Sequence, residues 1–258
     1  MISRVPLPAA FLTRPLAHRA LHDRAAGRPE NSRAAVRAAV AAGYGIEIDV
    51  QLSADGQAMV FHDEELDRLT AEVGPVRNRT AAELGRIGLR DAGDGIPTLP
   101  EVLALVAGRV PLLIEIKDQT LTMSETDGRL EAAIAAALHI CAGPVAVMSF
   151  NPDVVACMAR LAPQLPRGLT TSAYDPADWA PLPDATCTRL RGIPDYDRTG
   201  ASFISHEAAD LARPRVAALK AQGAAILCWT IRSPAAEAEA RRVAQNITFE
   251  GYAPRQHA

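Results

Sequence analysis

Short β-branched or apolar runs alternate with alanine-rich helical patterns along this chain. That alternation constrains the fold most, because repeated βα units build a parallel sheet with helices packed against it. Strand patterns fall at 15–18, 45–51, 58–62, 110–117, 144–149, 166–171, 201–205, 224–231 and 246–250. Helical patterns fall at 31–42, 80–86, 99–107, 128–141, 152–161, 209–221 and 234–244. Nine strand segments fit eight barrel positions if 45–51 and 58–62 lie together across the tight turn that Asp55-Gly56 favours. The 258 residues match the length of one (β/α)₈ barrel, ~250. The expected fold is therefore α/β, a TIM barrel, with residues 1–258 as a single domain.

Local signals agree with that layout. In 128–141 the helical period sets Leu130, Ile134, Ala137, Leu138 and Cys141 on one face. Asn151-Pro152 and Ser233-Pro234 each place a capping residue before a proline in the first helical turn. Only 173–200, rich in Pro and Asp, is irregular, with room for a short helix around 187–191.

Charge narrows the partners. Lys plus Arg (27) nearly balances Asp plus Glu (30), which argues against a general nucleic-acid or membrane-surface binder, since both need a dense basic patch, and leaves room for a small, local anion site. No run approaches the length of a membrane span, and the N-terminus shows no secretory h-region. Cys141, Cys157, Cys187 and Cys228 form no CxxC pair and read as structural thiols in a reduced, cytoplasmic setting. The expected partner is a small molecule; oligomeric state is not encoded in any pattern found.

Three segments concentrate polar chemistry at strand ends: His18-Arg19, then Glu47-Ile48-Asp49 with His62-Asp63, then Glu115-Ile116-Lys117. The strand period of two puts Glu47 and Asp49 on one face and Ile46, Ile48 and Val50 on the other; Glu115 and Lys117 repeat the arrangement. Buried carboxylates are costly unless paired or metal-bound, and TIM-barrel sites gather at strand C-termini. Glu47, Asp49 and Glu115 thus make a candidate site for a hard divalent cation, Mg²⁺ or Ca²⁺. The structural alternative is that Glu47 and Glu115 only tie the barrel together through Arg19 and Lys117. His18 and His62 are the acid/base candidates, and Arg19 has the geometry of a phosphate binder. His22 and His257 read as inert, His139 as an exposed helical residue, and His206 as able to reach the mouth from its strand end, with nothing else nearby to support a role.

These segments, in order, resemble the glycerophosphodiester phosphodiesterase family. The matching elements are His18-Arg19, Pro29-Glu30-Asn31, Gly45 with Glu47-Ile48-Asp49-Val50, Asp55-Gly56, His62-Asp63, Leu66-Asp67-Arg68-Leu69-Thr70, Ile96-Pro97-Thr98-Leu99 and Glu115-Ile116-Lys117. The second half matches more loosely, through Ser149-Phe150-Asn151, Phe203-Ile204-Ser205 and Cys228-Trp229-Thr230. Two segments depart from the family pattern: Ala20-Leu21-His22-Asp23, where the family often has Gly after His-Arg, and Thr248-Phe249-Glu250-Gly251, where it usually ends Thr-Asp-x-Pro.

The resemblance implies metal-dependent hydrolysis of glycerophosphodiesters to an alcohol and glycerol 3-phosphate. It assigns Glu47, Asp49 and Glu115 to the cation, Arg19 and Lys117 to the phosphate charge, and His18 and His62 to general acid and base in an undecided order. Trp229 would wall the mouth or pack into the core. A lysophospholipase D-like or sphingophospholipid activity is the nearest rival, and needs an apolar groove for which no hydrophobic loop stands out. A catalytically silent phosphoester-binding barrel would lack a histidine or a carboxylate, and none is missing. An amidohydrolase would need a His-x-His pair, which is absent.

Overall fold

The computed structural model describes residues 3–139 and 141–255. Nine strands run β1 (Leu16–Ala17), β2 (Gly45–Leu52), β3 (Ala58–Val60), β4 (Leu112–Ile116), β5 (Val145–Ser149), β6 (Arg167–Thr171), β7 (Phe203–Glu207), β8 (Ala225–Ile231) and β9 (Asn246–Phe249). Eight of them pair in parallel in the order β1-β2-β4-β5-β6-β7-β8-β9, and β1 pairs with β9 to close the barrel. Strand β3 stands outside this ring and folds back antiparallel on β2, with Val50 opposite Val60. The hairpin explains why nine strand patterns yield eight barrel strands.

Helices separate the strands: α1 (Ala10–Thr13), α2 (Arg33–Ala42), α3 (Ala81–Leu84), α4 (Leu99–Val106), α5 (Arg129–Leu138), α6 (Pro152–Leu161), α7 (Asp184–Arg191), α8 (Pro214–Ala221) and α9 (Pro234–Ala240). Their starts follow the capping chemistry. Thr80 and Thr98 form capping boxes with Glu83 and Glu101, and Asn151 and Ser233 cap α6 and α9 ahead of proline. Helix α5 buries Leu130, Ile134 and Leu138, while Ala137 and Cys141 are only partly covered.

The strand period divides the core. Ile46, Ile48 and Val50 face outward and pack with Val36, Ala39, Leu99 and Val102 of the covering helices. Leu113, Ala146, Phe203 and Leu227 point into the barrel and pack with Phe11 and Leu16. Helix α1 thereby plugs the N-terminal end of the barrel. Asn246 holds it there, its side-chain amide donating to the Phe11 and Arg14 carbonyls at 2.8 and 2.6 Å. A smaller cluster of Met59, Phe61, Leu66, Leu84 and Ile96 supports the segment between β3 and α4. With one end sealed by apolar side chains, charged inward-facing residues can face solvent only at the C-terminal mouth.

The four cysteines are free; Cys157, Cys187 and Cys228 are buried, and burial pushes the Cys228 thiol up to about 12. Among the described residues, no helix is long and apolar enough to cross a membrane. His257 lies outside the described residues.

Candidate active site

Parallel register brings the acidic residues together. Asp49 on β2 is the partner of Glu115 on β4, and Glu47 lies two residues before Asp49 on the same face. All three are buried, and one carboxylate oxygen from each lies within 4.8 Å of the others. Burial pushes Glu47 well above the usual carboxylate range, reinforced by the negative charges of Asp49 and Glu115. Burial also opposes ionisation of Asp49, but Lys117, His62, Arg19 and the Asn31 amide outweigh it and hold that carboxyl below its usual range. Three buried carboxylates, one still short of compensating charge, are a donor set that fits a hard divalent cation.

Cations line the same space. Lys117 Nζ lies 2.8 Å from Glu115 Oε1 and 3.4 Å from Asp49 Oδ1. Burial disfavours its ammonium form, yet the two carboxylates raise its pKa above that of an ordinary lysine. Arg19 Nη1 binds Glu30 Oε1 at 2.7 Å, and the Arg19 backbone N–H donates to Glu47 Oε2 at 2.9 Å. Arg19 and Ala20 both have positive φ, 50° and 64°. The bond to Glu47, with that of Ala20 N–H to the Glu47 carbonyl, holds this strained turn in place.

Each mouth histidine is fixed through Nδ1 by a carboxylate. His62 Nδ1 is 2.7 Å from Asp63 Oδ1, and His18 Nδ1 is 2.5 Å from Glu250 Oε2. Both bonds use Nδ1, so Nε2 is the ring nitrogen that they leave uncommitted. Burial lowers the His18 pKa, partly offset by Glu250. Asp63 is tied to Arg68, Arg68 to Glu30, and Glu30 to Arg19, so one hydrogen-bonded chain runs from His62 to the far side of the mouth.

A cavity of about 770 Å³ opens on the His62 side of this site, where Gln51, His62, Asp63, Arg68, Glu115 and Lys117 line it. Leu121, Met123, Phe150, Trp179, Leu182 and Trp229 line it with apolar surface. Trp229 thus walls the mouth, its indole N–H donating to the Ser205 carbonyl at 3.0 Å. The expectation that no hydrophobic loop builds an apolar groove is corrected: the loops after β4 and β6 supply Leu121, Met123 and Trp179. The signal in 173–200 was hidden among prolines and acidic residues.

His206 does not reach the mouth. It lies within β7 on the outer face, fully buried, with Nδ1 2.8 Å from Thr171 Oγ1 and Nε2 near Asp210. His139 is exposed at the end of α5, as expected. His22, taken as inert, sits with His18 beside Glu250. Asn31, Glu30 and Arg68 occur in the sequence motifs, but their place in the site was not assigned. Asn31 proves to bracket Asp49, donating to Oδ2 at 3.0 Å and accepting from the Asp49 N–H at 3.3 Å.

Known proteins are similar to this chain in sequence and in fold. The chain is 36% identical over 149 residues to a glycerophosphodiester phosphodiesterase of Caldanaerobacter subterraneus, covering 55% of this chain and 60% of that protein. It is 39% identical over 116 residues to one from Bacillus altitudinis, covering 41% and 45%. The chain therefore matches about half the length of these relatives. Among solved structures, an Oleispira antarctica phosphodiesterase in complex with the product sn-glycerol-3-phosphate superposes with a TM-score of 0.75 at 24% identity, covering 93% of this chain and 94% of that one. A glycerophosphodiester phosphodiesterase from Agrobacterium tumefaciens gives 0.67 at 26% identity, covering 92% and 96%. The family model of glycerophosphoryl diester phosphodiesterases matches residues 18–247, from the first mouth histidine into the last barrel strand, and the chain belongs to that family.

Proposed function

We propose that this chain hydrolyses glycerophosphodiesters to an alcohol and glycerol 3-phosphate, using a divalent cation and the His18/His62 pair. The carrying observation is the convergence of Glu47, Asp49 and Glu115 beside Lys117 and Arg19, with two carboxylate-held histidines at the same mouth. The named activity of the 36% identical relative supports the same reading.

Glu47, Asp49 and Glu115 would hold Mg²⁺ or Ca²⁺. When bound, such a cation supplies Lewis-acid polarisation of a phosphate oxygen. Lys117 and Arg19 carry fixed positive charge beside the carboxylates, where it offsets negative charge building on the phosphoryl oxygens. One imidazole takes the proton of the attacking oxygen, either of water, which gives glycerol 3-phosphate directly, or of the substrate's own glycerol hydroxyl, which gives a cyclic phosphate that water then opens to glycerol 3-phosphate. The new P–O bond forms as the bond to the departing alcohol breaks, and that alcohol oxygen takes its proton from the other imidazole. Asp63 and Glu250 fix the rings during both transfers. The free thiols fit a reduced, cytoplasmic setting for this chemistry.

The apolar wall favours a second substrate reading, a lysophospholipid whose acyl chain lies along Leu121, Met123, Trp179 and Trp229. Parallel assays with glycerophosphocholine and lysophosphatidylcholine separate the two. Glycerol 3-phosphate from the first substrate, with little lysophosphatidic acid from the second, is the expected result. Faster release of lysophosphatidic acid would assign the lipid activity instead.

A further inference from the structure

We infer that His18, His22 and Glu250 form a second metal site, which takes a borderline transition-metal ion such as Zn²⁺ and, when filled at His18 Nδ1, keeps the ring proton on Nε2 so that this nitrogen can no longer accept one. The site stands on geometry alone; the inhibition rests on the function proposed above.

The three side chains come from the end of β1, the loop that follows it and the end of β9. One ligand atom from each lies within 4.8 Å of the other two. Two imidazoles and one carboxylate suit Zn²⁺ and its neighbours, whereas the all-carboxylate set of Glu47, Asp49 and Glu115 suits a hard cation. The two clusters share no residue, so donor chemistry sorts ions between them.

The spacing is close to what an ion requires. Glu250 Oε2 lies 3.5 Å from His22 Nε2, near the ~3.4 Å edge of a tetrahedron built on bonds of about 2.05 Å. Its 2.5 Å contact with His18 Nδ1 is a hydrogen bond, which must widen by roughly 1 Å as a metal replaces the proton. His22 Nε2 is itself buried and meets Glu250 Oε2 only through this long 3.5 Å contact, which a bound ion would replace with a direct bond. Arg232 grips the other carboxylate oxygen at 2.7 Å and turns Oε2 toward the histidines. The three side chains are 15–25% exposed, which gives an ion an entry path from the mouth.

Sequence departures fall in the same place. His22 belongs to the segment after His18-Arg19 that departs from the family pattern, and Glu250 belongs to the other departing segment. Both flank His18 in space.

The test uses Co²⁺ as a spectroscopic probe for Zn²⁺, with Mg²⁺ in large excess to fill the carboxylate set. Wild-type protein should develop the intense visible absorption of four- or five-coordinate Co²⁺, saturating at one equivalent and displaced by Zn²⁺. His22→Ala should weaken Co²⁺ binding by at least ~10-fold. Its Mg²⁺-supported turnover should stay at the wild-type level and become correspondingly resistant to Zn²⁺. His22→Gln, which keeps a polar side chain, repeats the test if His22→Ala folds poorly. Equal Co²⁺ affinity in wild type and both variants, or equal Zn²⁺ inhibition, would overturn the proposal. The absorbance titration needs no substrate, so an error in the proposed activity leaves it intact.

Discussion

Asp49 and Glu115 are register partners on adjacent parallel strands, and Lys117 Nζ lies within 3.4 Å of a carboxylate oxygen on each. Two negative charges and one positive charge are thus set by backbone pairing rather than by flexible loops. Glu47, lower on the same face, brings a third carboxylate that this lysine does not balance. Ionising Glu47 as well would leave negative charge in excess, which a bound cation would offset.

Glu47→Gln tests that imbalance. The Glu47 pKa is raised, so its contribution to stability is fully present below the unfolded value of 4.5 and is lost as pH rises through the folded value. In EDTA, the variant should therefore match wild type near pH 4.5 and melt at an equal or higher temperature near neutrality. Mg²⁺ or Ca²⁺ should stabilise wild type but not the variant, because only the former gains a ligand. A metal-induced rise in Tm that survives the substitution would remove Glu47 from the cation site.

Asp63→Asn addresses the hold on His62. Turnover should fall by about 10- to 100-fold, less than the roughly 10²- to 10⁴-fold loss expected for His62→Ala. Burial opposes ionisation of Asp63, but His62 and Arg68 depress its pKa, so its stabilisation is present above the unfolded 3.8 and lost as pH falls through the folded value. The stability gap between wild type and variant should accordingly narrow on acidification below about pH 4. Denaturant melts across that range check the sign.

His206→Asn separates structure from chemistry. His206 is buried between Thr171 and Asp210 on the outer face of β7, so its loss should cost about 1–3 kcal/mol of stability. The kcat of the folded variant should stay within about twofold of wild type. A hundredfold loss in kcat would return His206 to the mouth.

Gly168→Ala probes the barrel interior. A Cβ at this position would stand 2.4 Å from the Phe203 ring, inside the sealed end of the barrel. Over-packing of this kind costs about 1–3 kcal/mol and should lower the unfolding midpoint without changing KM. An unchanged midpoint would mean that Phe203 has room to move.

The barrel was legible because strands announce themselves by their period. The patterns at 45–51, 144–149 and 246–250 lie within one residue of β2, β5 and β9 at each end. Glu47, Asp49, Glu115 and Lys117 were legible for the same reason, since charges that alternate with isoleucines on a strand must share its inner face. Helix α1 escaped notice because four residues carry no helical period, and its role as a plug exists only once the barrel closes. The His18–Glu250 contact joins residues 232 apart, a pairing that no local pattern can reveal. Trp179 was missed because its loop has no periodicity, and only packing against Phe150 and Tyr174 shows where it points.

The most direct test of the central claim is release of glycerol 3-phosphate from glycerophosphocholine, measured in EDTA and again after Mg²⁺ or Ca²⁺ is restored. Release that stops with EDTA, returns with metal, and stays absent in Glu115→Gln is the predicted result. Release that continues in EDTA, or an enzyme silent with every divalent cation, would contradict it.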